Sequence, residues 1–151
     1  MPNARSSLPR GIALVLAVGG ILTAAQTAHS EDGPTLRIRF SGLEEVRGAL
    51  LVSVADSRET FESDDRAFVS AEVPVTGAQE TAVFEGLAAG EYAVKVFHDA
   101  NGNEKLDMGF MGPKEKYGFS NNVVGFMGPP DFDDAKFRFD GDELTVDIQA
   151  R

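Results

Sequence analysis

Apolar side chains recur at every second position in this chain, in runs too short for helices and about ten residues apart. Leu36, Ile38 and Phe40 alternate with Arg37, Arg39 and Ser41. A period of two puts every apolar group on one face of an extended strand and leaves the other face polar. Leu50, Val52 and Val54 repeat the pattern within residues 48–55 (GALLVSVA). Residues 67–75 (AFVSAEVPV) give a third run, in which Pro74 marks an edge strand or a strand end because proline donates no ladder hydrogen bond. Residues 81–84 make a fourth. Residues 91–98 (EYAVKVFH) are the strongest, with Tyr92, Val94, Val96 and His98 on one face and Ala93 and Phe97 on the other. Residues 136–139 and 144–148 form a last pair across Asp140-Gly141-Asp142, a hairpin turn signal.

Residues 56–66 (DSRETFESDDR) read as an acidic solvated turn, residues 86–90 as another turn, and no segment after residue 30 shows a helical period. The expectation is an all-β fold, an antiparallel immunoglobulin-like or transthyretin-like sandwich of about seven strands. Tyr92 is either a plain core tyrosine or the tyrosine of a sandwich corner.

Residues 1–30 stand apart from this pattern. Arg5 and Arg10 form a basic start, residues 11–25 (GIALVLAVGGILTAA) are apolar, and Ala28-His29-Ser30 places small residues where a signal peptidase cuts. The apolar run is shorter than the roughly 18 to 20 residues that span a bilayer, so a cleaved secretory leader is expected rather than an uncleaved anchor. The mature chain then begins at Glu31, forms one domain over residues 31–151, and is periplasmic or secreted, with no transmembrane segment. It has no Cys, which excludes disulfides, thiol catalysis and thiolate zinc sites. Removal of Arg5 and Arg10 leaves 12 basic residues against 24 acidic ones, a net charge of −12. Such a surface repels phosphate, so nucleic acid is excluded as a partner and anionic headgroups are disfavoured, whereas cations are attracted. A monomer is expected.

Residues 99–134 break the strand pattern. A loop of that length is either functional or conceals elements of its own. It contains Gly-Phe-Met-Gly-Pro twice, at residues 109–113 and 125–129. These read as turns that tuck Phe and Met beneath the loop, or as an exposed patch for a partner.

Three motifs carry a resemblance: Val96-Phe97-His98-Asp99 with Asn101-Gly102-Asn103 and Asp107; Tyr117-Gly118-Phe119-Ser120-Asn121-Asn122; and Gly128-Pro129-Pro130 with Phe132, Asp134 and Ala135. From Leu36 onward the chain resembles a family of small exported bacterial proteins known as a domain of unknown function. The resemblance implies a periplasmic or secreted β-sandwich of Gram-negative type and implies no activity. The Gly86–Gly90–Tyr92–Val94 segment is similar to the strand entry of carboxypeptidase-regulatory-like and transthyretin-like sandwich modules.

Asp99, Asn101, Asn103, the Lys105 carbonyl and Asp107 supply oxygen at alternate positions, as a calcium loop does. The loop departs from an EF-hand: Glu104 stands where a glycine is required, and Phe110 where a bidentate glutamate is. Calcium is the cofactor these residues suggest. A metal-free turn, in which the same side chains accept backbone N–H groups, uses the same residue types. One His remains after cleavage, so zinc and copper are disfavoured.

That residue, His98, would have to serve in any imidazole-dependent chemistry, and its neighbour Asp99 points to the opposite face. His98 reads as a strand-end residue. Ser120 lacks the strand–elbow–helix context of a hydrolase nucleophile. No catalytic residue is assigned. Tyr117, Phe119, Ser120, Asn121 and Asn122 combine rings and amides suited to holding a sugar or peptide, or to tying the loop to itself. The expected function is therefore a non-enzymatic binding or envelope structural module, for an unknown ligand or envelope partner. The alternative is a glycosidase-like hydrolase using carboxylates of the 99–134 loop, such as Asp107 and Asp134.

Overall fold

A computed structural model describes residues 33–63 and 66–151. The leader expected at residues 1–30 lies outside the described residues, as do Asp64 and Asp65 of the acidic run. The chain forms β1 (Thr35–Ser41), β2 (Ala49–Ala55), helix α1 (Arg58–Glu62), β3 (Val69–Pro74), β4 (Gln79–Glu85) and β5 (Gly90–Asp99). There follow β6 (Met108–Gly109), β7 (Gly112–Pro113), β8 (Tyr117–Phe119), a 3-10 turn (Ser120–Asn122), helix α2 (Phe132–Ala135), β9 (Phe137–Phe139) and β10 (Glu143–Gln149). Among the described residues, no helix is long and apolar enough to cross a membrane.

The fold is an all-β sandwich. One sheet has the order β10-β1-β4; the other has β3-β2-β5-β8, with β9 paired to the start of β5. The alternating residues meet between the sheets. Leu36, Ile38 and Phe40 of β1, Phe84 of β4 and Ile148 of β10 face Leu50, Val52 and Val54 of β2 and Val94 and Val96 of β5, all almost wholly buried. Each such side chain contributes about 1.5–3 kcal/mol by leaving water. This burial fixes the register, because a one-residue slip would turn the whole apolar set outward.

One pairing departs from the antiparallel expectation. β1 and β10 run parallel, with Thr35 opposite Glu143 through Ser41 opposite Gln149. The hairpin expected at residues 136–148 does not form either. Gly141 adopts φ +88° at the turn, but β9 joins β5 while β10 joins β1. The same turn chemistry serves a hairpin and a crossing between sheets.

The acidic run at 56–66 holds helix α1. Ser57 Oγ accepts the Thr60 N–H at 3.4 Å, and Thr60 Oγ1 accepts the Ser57 N–H at 3.2 Å, a reciprocal cap. The helix turns Phe61 onto the outer face of the five-stranded sheet. There Phe61, Phe132 and Ala135 cover Ala55 and Ala93, with Phe119 and Val123 at the margin. Ala93 is small and fully buried beneath these rings.

Tyr92 is buried, and its hydroxyl donates to the Ala88 carbonyl at 2.9 Å, four residues upstream. That is the geometry of a tyrosine corner.

The long 99–134 segment conceals β6, β7, β8, the 3-10 turn and α2. Gly118 lets β8 lie against the core: a Cβ there would stand 2.5 Å from Ile148 Cγ2 and 3.0 Å from Phe40 Cε2. The two sheets are also joined along this side. Arg151 N–H donates to the Tyr117 carbonyl at 3.1 Å, and the Asn122 amide bridges to β10.

The two Gly-Phe-Met-Gly-Pro turns correct the tucked reading. Phe110, Met111, Phe126 and Met127 are each at least 94 % exposed. In the β6–β7 hairpin, Phe110 and Met111 are the two tip residues, and a tip side chain has no core beneath it.

Candidate functional site

β5 delivers Asp99 to the start of the oxygen-rich loop, where its side chain is buried. Asp99 Oδ1 accepts the N–H groups of Gly102 at 2.7 Å and Asn103 at 3.2 Å, and Oδ2 accepts that of Glu104 at 2.7 Å. Burial alone would push this carboxyl up. The N–H groups of Glu104, Gly102, Asn103 and Asn101 outweigh it and hold Asp99 below the usual carboxylate range. Gly102 (φ +74°) and Glu104 (φ +60°) take left-handed conformations that turn these N–H groups inward.

The other residues of the candidate metal set are drawn into the same network. Asn101 Oδ1 accepts Asn103 N–H at 3.0 Å, and Asn103 Oδ1 accepts Lys105 N–H at 2.9 Å. The Asn101 and Asn103 amides both donate to Asp107, at 2.6 and 3.0 Å. Asp99 and Asp107 are thus linked through Asn103, which gives its backbone N–H to one and its side-chain amide to the other. This is the arrangement of the metal-free turn, with oxygen aimed at N–H donors.

The donor chemistry admits calcium to the extent that the Asn oxygens and the Lys105 carbonyl can join Asp99 and Asp107. Among the described residues no three His, Asp or Glu side chains gather as metal ligands. Amide oxygens and carbonyls would therefore carry most of the coordination.

Sequence reasoning missed Glu115. Its Oε1 accepts Ala100 N–H at 3.1 Å and its Oε2 accepts Asp107 N–H at 3.0 Å, so one carboxylate clamps both ends of the loop. Between Lys114 and Lys116 it looks like a solvated charge. Its partners are backbone groups, which leave no signal in side-chain spacing.

Beside the loop lies a cleft of about 270 Å³, lined among others by Glu44, Arg47, His98, Asp107, Glu115 and Lys116. His98 is buried and its Nε2 lies 2.6 Å from the Arg47 carbonyl. A carbonyl only accepts, so Nε2 carries the proton. Lys116 pairs with Glu44 at 2.9 Å and Arg47 with Glu45 at 2.6 Å. Two of the four acidic side chains lining the cleft, Glu44 and Glu45, are thus already ion-paired.

The Tyr117–Asn122 residues divide into two groups. Ser120 is fully buried; its Oγ accepts Val94 N–H at 2.9 Å and donates to the Ala135 carbonyl at 2.6 Å. Asn121 (φ +59°) donates to the carbonyls of Asp134 at 3.1 Å and Lys136 at 2.9 Å. Asn122 donates to the Asp147 carbonyl at 3.1 Å and accepts Gln149 N–H at 2.8 Å. All three hold backbone that strands and helices leave unpaired. Tyr117 and Phe119 instead lie half-buried on the outer sheet face, 6.0 Å apart and edge to face. Tyr117 is in register with Phe97 and Leu51 across β5 and β2.

Asp107 lines the cleft at the far end of β5, whereas Asp134 belongs to α2, which packs over Ala93 near the start of β5. Their anchoring points are about six strand residues apart, or roughly 20 Å at 3.3 Å per residue.

No curated protein and no solved structure matches the chain. A bacterial family described as an uncharacterized protein conserved in bacteria (DUF2141) matches residues 38–147, from the middle of β1 to β10. That stretch holds all the sandwich core but Leu36 and Ile148, with the oxygen-rich loop and the Ser120–Asn122 clamps, and the chain belongs to this family.

Proposed function

We propose that the chain is exported to the periplasm or beyond and works without catalysis, as a binding or structural module of the cell envelope. One observation carries the reading. The polar groups that could do chemistry (Asp99, Glu115, Ser120, Asn121 and Asn122) are spent on the chain's own backbone. A catalytic group must be aimed at open space where a substrate can meet it; these hold strands and loops in place. Tyr117 and Phe119 remain as contact surface.

Export rests on the leader-like residues 1–30. Expression of the full sequence in a Gram-negative host, osmotic-shock fractionation and intact mass test it. The outcome expected is a periplasmic species beginning at Glu31; an unprocessed cytoplasmic chain would count against export.

Calcium is the cofactor proposed for the Asp99–Asp107 loop. With two carboxylates and neutral oxygens, affinity falls on the order of 10⁻⁴ to 10⁻³ M, the range of extracellular modules. Calcium at ten times Kd then stabilises the fold by about 1.4 kcal/mol. Melting curves in several millimolar calcium and in chelator read this directly, and superimposed curves would remove the metal from the proposal.

The carboxylate-lined cleft favours a second reading, a hydrolase acting from the 99–134 segment. Both Asp107 oxygens take amide protons from Asn101 and Asn103, which supports the non-catalytic reading over this one. Turnover of chromogenic glycosides that Asp107→Asn abolishes would reverse the preference.

A further inference from the structure

After residue 30 the chain has no Cys and three methionines, Met108, Met111 and Met127, so thioethers are its only sulfur there. All three stand at the surface. We infer that the two Gly-Phe-Met-Gly-Pro turns are reversible oxidation sites, at which a peroxide converts these methionines to sulfoxides and makes apolar tips polar while the fold is unchanged. The inference is independent of export, of calcium and of any ligand held at Tyr117 and Phe119.

Exposure is the first ground. Met111 and Met127 are 97 and 94 % exposed, and Met108 is 64 % exposed. Oxidation of a thioether follows its access to solvent. A Cβ built at Gly112 or Gly128, next to the two most exposed methionines, would meet nothing within 4 Å beyond its chain neighbours. Each turn is therefore open to a small oxidant.

The absence of any structural use for these residues is the second. Methionine ordinarily fills gaps in cores, yet the buried apolar set of the described residues is made of Leu, Ile, Val, Phe, Ala and Tyr. Backbone conformation does not call for methionine either. Met111 is at the tip of the β6–β7 hairpin, and Met127 takes φ +59°, a left-handed conformation that glycine adopts more readily than any residue with a Cβ.

The step balances with the peroxide as sole co-reactant. A sulfur lone pair attacks one peroxide oxygen, and the S–O bond forms as the O–O bond breaks. The departing hydroxide takes the proton left on the transferred oxygen and leaves as water. Sulfur gives up an electron pair and the peroxide accepts it. No side chain has to act as acid or base, so none needs to be aimed at the sulfurs. The sulfoxide is polar, and in a core it would disrupt packing. At a turn tip it meets water, and the sulfur-free core offers the oxidant no thioether. An exposed sulfoxide is also within reach of the reductases that restore the thioether.

The test is hydrogen peroxide treatment of the purified folded chain, followed by peptide mass mapping, with N-acetylmethionine amide oxidised alongside. Met111 and Met127 should oxidise within about threefold of the rate of the free compound, and Met108 more slowly than either. The oxidised protein should elute earlier from a hydrophobic-interaction column and melt at the same temperature as the untreated one. A pair of methionine sulfoxide reductases, one for each epimer, should restore the original mass. Leucine at all three positions (M108L, M111L and M127L together) should end oxygen uptake after residue 30. Rates for Met111 or Met127 more than about tenfold below the free compound overturn the inference. So does a melting temperature lowered by oxidation, an unchanged column retention, or a mass that the reductases leave in place. Uptake that persists in the leucine variant overturns the assignment to these sulfurs. The wild-type rates decide the matter even where that variant misfolds.

Discussion

The Glu115 carboxylate accepts the backbone N–H of Asp107 at 3.0 Å and, through its other oxygen, that of Ala100 at 3.1 Å. A side chain eight residues downstream of Asp107 thus holds both ends of a loop whose own residues look self-sufficient. Glu115→Ala leaves two partly buried N–H groups without acceptors and should cost about 1–3 kcal/mol in urea unfolding. Glu115→Gln keeps one acceptor and should cost less. Equal stability of all three proteins would show that the clamp is incidental.

Asp99 supplies a pH dependence whose sign follows from its environment. Its carboxyl is opposed by burial but held below the usual range by the N–H groups of Glu104, Gly102, Asn103 and Asn101. The folded protein therefore gives up this proton at lower pH than the unfolded chain does. The stability contributed is complete above the unfolded value of about 3.9 and is lost as pH falls through the folded one. Asp99→Asn should destabilise by about 1–3 kcal/mol at neutral pH. The gap from wild type should be widest above about pH 5 and should narrow in acid. Denaturant midpoints for both proteins across that range decide it; a constant gap would mean that Asp99 acts through shape and not charge.

Ser120 stands in for backbone between β5 and α2. Ser120→Ala strands the Val94 N–H and the Ala135 carbonyl inside the fold, at an expected cost of about 1–3 kcal/mol. Hydrogen exchange should accelerate at Val94 while Val52, deep in β2, stays protected. Uniform acceleration would instead indicate global loosening.

Gly118 is fixed by packing. Gly118→Ala drives a methyl group to within 2.5 Å of Ile148 Cγ2 and should cost about 1–3 kcal/mol through overpacking. Ile148→Ala, harmful alone, removes that Cγ2 and should recover part of the loss when combined with Gly118→Ala. Additive penalties in the double variant would place the strain elsewhere.

The strands were legible because one face of each is buried. Leu36, Ile38 and Phe40 could be placed inward on spacing alone, and they are inward. β8 was not legible: three residues centred on a glycine carry no alternation, and only the proximity of Ile148 explains why glycine stands there. Helix α1 was hidden because its acidic surroundings outweighed the Ser57–Thr60 cap. The parallel pairing of β1 with β10 left no local trace, since Arg39 and its partner Asp147 are 108 positions apart. In the loop, Asp99, Asn101, Asn103 and Asp107 were identified as a set, and hydrogen bonds do bring them together. Glu115 escaped because it binds backbone, to which sequence spacing is blind. The exposed Phe-Met tips ran against burial statistics, and a turn geometry that offers no interior is what decides them.

The parallel partnership of β1 and β10 sets an order of events. On the ribosome β1 lacks one neighbour until about a hundred further residues have emerged, so its sheet is completed late. Loop closure over that distance is slow. Until β10 is made, that edge of β1 stays open, and the unfinished sheet is still loose enough to be drawn through a narrow pore.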